Sequence, residues 1–155
     1  MSAPLQVDIE VEVRYAETDQ MGIVHHSVYL VWFELARTRL CLESGYHYAD
    51  IERLGHQLVV TRTSTRHVRG AHYGETVTVR CCLEQLSGRG LRFAYQVRLA
   101  ERLLADGMTE HVWVRTETAR PCRIPSVLVN PFRRLAGLAP VLPAPGPQSR
   151  PASAG

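Results

Sequence analysis

The four cysteines of this 155-residue sequence, Cys41, Cys81, Cys82 and Cys122, contain no C-x-x-C pair, and adjacent Cys81 and Cys82 point to opposite faces of any strand that holds them. Neither a disulfide framework nor a zinc site is expected, and the thiols read as reduced and mostly buried. No apolar run is long enough to cross a membrane. Met1 to Asp8 lacks a basic segment followed by an apolar stretch, so no secretory signal is expected and the location expected is cytoplasmic. There is no internal repeat and no phosphate-binding G-x-x-x-x-G-K spacing; Ser87-Gly88-Arg89-Gly90 is a turn rather than such a loop. Charge of one sign is not in large excess: the net charge is +3 and the pI about 8.8. That does not argue for nucleic acid, and it suits an anionic small molecule as well as it suits a plain solvated surface.

What is present fits one globular domain over 1–138, with 45% hydrophobic residues available for a core. The Pro/Ala/Gly/Ser-rich remainder, 139–155, reads as a disordered tail. Val7 to Tyr15 alternates apolar and polar residues as a half-buried strand does. A helix is expected from Val28 to Ser44, with Ser27 as N-cap and Gly45 just past its end. Val28, Val31, Trp32, Leu35, Thr38 and Leu42 recur along it at helical spacing, so that face is expected to be the buried one. A short helix fits His47 to Leu54. Strands follow over Gln57–Val68, Glu75–Leu86, Leu91–Ala105 and Met108–Ala119, with Asp106-Gly107 read as the turn between the last two. Val127 to Leu138 includes a short helix. The order is a strand, one long helix, then about four antiparallel strands, an α+β arrangement whose sheet wraps the helix and leaves sheet edges for a partner subunit.

The loop from Ala16 to His26 is chemically the richest segment. It sets a carboxylate, Asp19, beside Gly22 and runs into the start of the long helix, where backbone N–H groups lack partners and the helix dipole is positive. A carboxylate beside free N–H donors can attack a carbonyl or activate water while the donors hold the developing oxyanion. Gly22, His26 and Ser27 are the backbone candidates for those donors. His26 can orient a reactant or carry a proton near neutral pH. By itself each has a plainer explanation: a turn-forming Asp, a turn Gly, a surface His. The adjacent His25 and His26 have no third ligand at metal spacing, so no metal is expected. Glu34 on the long helix reads as structural, paired with Arg37 or Arg14.

The run Tyr15-x-x-Thr18-Asp19-x-x-Gly22-Ile23-Val24-x-His26-x-x-Tyr29, followed by Trp32-Phe33-Glu34-x-Ala36-Arg37, resembles the hotdog-fold acyl-CoA thioesterases. Within them it is most similar to 4-hydroxybenzoyl-CoA thioesterase and the Tol–Pal-associated acyl-CoA thioesterases. The resemblance covers Val7 to Pro125 and implies a hotdog fold, an antiparallel sheet of about five strands around a long central helix. It implies homodimers, joined sheet edge to sheet edge and paired into homotetramers, with active sites at the dimer interface. It implies hydrolysis of an acyl-CoA to acid and free CoA, with no cofactor beyond the CoA of the substrate. Asp19 takes the catalytic aspartate position as nucleophile or general base, while His26 and Tyr15 match residues of the Tol–Pal-associated branch. Tyr29 lies near the acyl channel. Arginines suited to the CoA phosphates include Arg62, Arg66, Arg69, Arg89, Arg92 and Arg123, with Arg89 favoured for its flanking glycines. The alternatives are a hotdog dehydratase or hydratase, whose helix acid and His-Phe-Pro loop are missing here, and a non-catalytic domain that binds acyl-CoA.

Overall fold

The computed structural model describes residues 2–143. In chain order the elements are β1 (Gln6–Glu12), a single 3-10 turn (Tyr15–Glu17), α1 (Val28–Leu42), α2 (Tyr48–Arg53), β2 (His56–His67), β3 (Thr76–Leu86), β4 (Gly90–Leu99), β5 (Arg102–Arg115) and α3 (Ser126–Leu135). The strands form one antiparallel sheet in the order β1-β3-β4-β5-β2. Val77, Val79, Cys81 and Leu83 of β3 and Leu91, Phe93, Tyr95 and Val97 of β4 are buried, and the residues between them are half-buried. This period-2 burial turns one face of the sheet onto α1 and α3. The sheet wrapped around α1 is the hotdog arrangement. α1 has 15 residues, about 22 Å of helix, which is moderate rather than long.

Two expectations fail here, each for a packing reason. The buried face of α1 is Tyr29, Trp32, Phe33, Ala36, Arg37, Leu40 and Cys41. Val31, Leu35 and Leu42, expected inside, are 52%, 49% and 39% exposed. α1 is apolar on two sides, and periodicity by itself does not say which side the sheet takes. The second failure is the hairpin turn. Asp106 and Gly107 lie within β5, opposite Gln96 and Tyr95 of β4 and Arg66 and Thr65 of β2. The β4–β5 turn falls instead at Ala100 and Glu101, with Ala100 at φ 50° in the left-handed region. Gly107 is required for packing: a Cβ there would stand 2.7 Å from Cε2 of Phe33 and would also strike the Ser64 carbonyl. Gly107→Ala is expected to cost about 1–3 kcal/mol, read as a lower midpoint in urea unfolding with the slope unchanged.

α3 closes the other end of the core. Leu128, Phe132 and Leu135 are buried, and Phe132 meets Trp113 of β5 edge-on at 5.5 Å. Beyond α3, Ala139 accepts from the Arg133 side chain and Val141 exchanges two hydrogen bonds with Asn130. Most of the expected tail, 144–155, lies outside the described residues. All four cysteines are free thiols, Cys81 buried and Cys82 half-buried on the opposite face. Among the described residues no helix is long and apolar enough to cross a membrane.

Candidate active site

Backbone bonds from Val13 to Glu75 and from Gly74 to Val13 fasten the chain after β1 to the start of β3. The 3-10 turn then directs Glu17 inward, where it is only 6% exposed. Glu17 accepts from the Arg14 amide at 2.8 Å and from the Trp32 indole N–H at 3.2 Å, with the Arg14 guanidinium 3.4 Å away. Because Trp32 belongs to α1, this carboxylate clamps the loop onto the helix. Burial raises the Glu17 pKa, but the two N–H donors and the nearby cation outweigh it, and the carboxyl is held below its ordinary value. Glu17 is not legible as a buried residue in the sequence. Arg14-x-x-Glu17 lacks the Ser or Thr of the usual capping spacing, and nothing else marks a loop glutamate as buried.

Asp19 closes the next turn. Its amide donates to the Ile23 carbonyl at 2.8 Å, its carbonyl accepts from Gly22 at 2.9 Å, and its Oδ1 accepts from the Met21 amide at 2.8 Å. Gly22 sits at φ +79°, which a residue with a side chain adopts only under strain. The Asp19 carboxylate thus spends one oxygen on an Asx turn, and Oδ2 has no partner among the described residues.

The start of α1 departs from the expected cap. Ser27 is already helical, at φ −68° and ψ −24°, and its side chain caps nothing. His25 does that work: its carbonyl accepts from Val28, and its Nδ1 lies 3.2 Å from the Ser27 amide and 2.7 Å from the Ser27 hydroxyl. The Gly22 and Ser27 amides are therefore engaged within the loop. The His26 amide has no hydrogen-bond partner among the described residues. The His26 ring is exposed and lies against His25, centroids 4.1 Å apart.

Asp19, His26 and Tyr29 share one cleft of about 200 Å³, walled on the far side by His67, Val68, Arg69 and Gly70. Tyr29 is buried at its base, and burial pushes its phenol above the ordinary range, so it stays protonated. His67, at the end of β2, meets the Tyr29 ring edge-on at 4.8 Å. By sequence alone, segment 67–70 is the end of a strand and the loop after it. Its place opposite Asp19 depends on the bridge from Ile23 to His72 and the bond from Val24 to Ala71, contacts no local pattern reveals.

Other expected residues lie elsewhere. Tyr15 is 76% exposed and stands edge-on to Tyr73 rather than in the cleft. Arg89 follows β3, whose 11 residues carry the chain about 33 Å from the Asp19 end of the sheet. Arg62 is exposed at the irregularity in β2, opposite Glu110. Glu34 pairs with neither expected arginine: Arg14 goes to Glu17, and Arg37 donates to the hydroxyls of Tyr48 and Tyr95. Tyr95 continues through Thr109 to His111, where burial and the Arg37 charge hold the imidazole down at about 3, hence neutral.

Residues 13–132 match the family profile described as the thioesterase-like superfamily. The chain is 39% identical over 113 residues to YneP of Bacillus subtilis, a candidate acyl-CoA thioesterase by name, which covers 72% of this chain and 82% of the relative. Among solved structures, DHNA-CoA thioesterase from Staphylococcus aureus is 33% identical, with a TM-score of 0.73 over 76% of this chain and 80% of that one. The hypothetical protein TT1821 from Thermus thermophilus is 39% identical, with a TM-score of 0.77 over 85% of this chain and 98% of that one.

Proposed function

Since the chain belongs to the thioesterase-like superfamily, we propose that it hydrolyses acyl-CoA thioesters to the free acid and CoA, with the reaction centred on Asp19. One observation carries this reading: a carboxylate oxygen with no partner among the described residues stands in the same cleft as His26, whose amide, also without a partner among them, lies just before α1. Oδ2 of Asp19 either attacks the thioester carbonyl, giving a mixed anhydride that water then opens, or takes a proton from the water that attacks. In both routes the carbonyl oxygen becomes an oxyanion, and the C–S bond breaks as the thiolate leaves with CoA. The His26 amide is the oxyanion donor this arrangement favours, since the Gly22 and Ser27 amides are already bonded. The His26 imidazole is placed to return a proton to the departing thiolate.

Two apolar surfaces support a homodimer: Leu30, Val31, Leu35 and Leu42 on α1, and Val59 and Val60 on the free edge strand β2. A further pairing into tetramers belongs to the same proposal. The finer placement beside the Tol–Pal-associated branch rests on His26 and Tyr15, and the four free thiols suit the cytoplasm.

The test is a panel of acyl-CoA thioesters followed by release of free thiol. Turnover with thiol release is expected for at least one acyl class. Dehydration of a 3-hydroxyacyl thioester without thiol release points to the hydratase reading. Tight binding without turnover points to the binding domain.

A further inference from the structure

The sequence contains no lysine, so all 18 side-chain cations are arginines, with the planar fork that suits phosphate oxygens. Several are committed: Arg66 to Asp106, Arg80 to Asp8, Arg92 to Glu110 and Arg53 to Asp50. Arg69 and Arg102 are not. Among the described residues neither side chain has a hydrogen bond or a carboxylate within 4.0 Å, and both line one cavity of about 380 Å³ at the Asp19 end of the sheet. The backbone fixes where they stand. The Val68 and Arg69 amides both donate to the Leu104 carbonyl, at 2.8 and 3.0 Å. Arg102 opens β5 directly after the tight turn in which Ala100 is left-handed.

The cavity is not isolated. Arg69 and Gly70 wall both it and the Asp19 cleft. Gly70 packs closely on Ile23, which also lines that cleft: a Cβ on Gly70 would come within 2.6 Å of the Ile23 side chain. The remaining lining is chemically mixed. Leu99 gives an apolar side, while Leu104 in the same lining is buried. Glu75 contributes a carboxylate that opposes an anion: its Oε1 pairs with His72 Nδ1 at 2.9 Å, while its Oε2 is buried with no partner among the described residues. Two free guanidinium forks, an apolar wall and one unfilled acceptor together match a phosphorylated nucleoside. Such a ligand would set its phosphates on the arginines, its base against Leu99 and a base N–H or ribose hydroxyl toward Glu75.

Resting on the hydrolase reading, we propose that Arg69 and Arg102 grip the phosphates of the nucleotide end of CoA, within the same subunit whose Asp19 works on the thioester. The site then selects CoA thioesters over short thioesters that lack the nucleotide.

The test compares three thioesters of one acyl group: the CoA thioester, the dephospho-CoA thioester and the N-acetylcysteamine thioester. In Arg69→Ala and in Arg102→Ala, the selectivity of kcat/KM for the CoA over the N-acetylcysteamine thioester is expected to fall about tenfold, equivalent to about 1.4 kcal/mol, mainly through KM. The dephospho-CoA thioester locates the loss at the 3′-phosphate or the diphosphate. Equal losses on the CoA and N-acetylcysteamine thioesters would mark a structural role and overturn the proposal, as would an unchanged ratio. Calorimetric titration with CoA itself reads the site without chemistry. The wild type is expected to bind CoA and the double variant to bind at least tenfold more weakly. Equal affinities, or no binding to the wild type, overturn the proposal. Weakened CoA binding in a protein that releases no thiol would keep the pocket and discard the hydrolase.

Discussion

Asp19→Asn is expected to lower kcat on the best acyl-CoA substrate by roughly 10²–10⁴-fold while leaving the fold intact. The substitution is chosen for what it keeps. Asn retains a carbonyl oxygen where Oδ1 accepts from the Met21 amide, so the Asx turn and the Gly22 turn beside it survive. What it removes is the charge and basicity of Oδ2, the oxygen without a partner in the described structure. Unfolding stability should stay within about 0.5 kcal/mol of the wild type. Asp19→Ala loses both oxygens and should lose activity and some stability together. A wild-type rate in Asp19→Asn with a normal unfolding midpoint would remove the carboxylate from the chemistry.

The second large effect is expected at Glu17, which touches no substrate in this account. Glu17→Gln places an amide N–H₂ or a weaker acceptor against the Arg14 amide and the Trp32 indole, both of which donate. One buried contact is then unsatisfied, at a cost of about 1–3 kcal/mol. The loop that carries Asp19 and His25 is tied to Glu17 through the bond from the His25 amide to the Glu17 carbonyl and through the carboxylate clamp to α1. Loosening it should cost up to about 10² in kcat, since displacements near 1 Å at the reacting groups have effects of that size. The pH dependence has a definite sign. Glu17 is held below its ordinary value of 4.5 in the fold, so its stabilisation is complete above that value and fades as pH falls through the folded-state pKa. The stability gap between wild type and Glu17→Gln, measured by urea unfolding at a series of pH values, should narrow on acidification. A gap that widens toward acid would show that the carboxylate is not the clamp.

The elements were largely legible because local patterns determine them. β2 and β3 fall within about a residue of their expected bounds, and the left-handed glycines at 45 and 55 stand where the helices end. The errors came where long-range packing decides. Asp-Gly is a strong turn signal, yet Gly107 is small because Phe33 lies over it, and an alanine takes the left-handed turn position instead. α1 offered two apolar sides, and only the sheet's approach determines which is buried. At the site, Asp19, His26 and Tyr29 do share a cleft, whereas its opposite wall comes from segment 67–70, some forty residues along the chain. The capping role fell to His25 rather than Ser27, because the imidazole Nδ1 reaches the Ser27 amide and the Ser27 backbone is already helical. Arg89 was favoured for its glycines, a local feature that carries no information about the length of β3 separating it from Asp19.

The measurement that bears most directly on the central claim is a crystal structure of the protein with a non-hydrolysable acyl-CoA analogue. The analogue's carbonyl oxygen is expected about 3 Å from the His26 amide, with its carbonyl carbon facing Oδ2 of Asp19, directly or through one water. A carbonyl group seated outside the cleft between Asp19 and segment 67–70, with the His26 amide turned away from it, would rule out Asp19-centred hydrolysis.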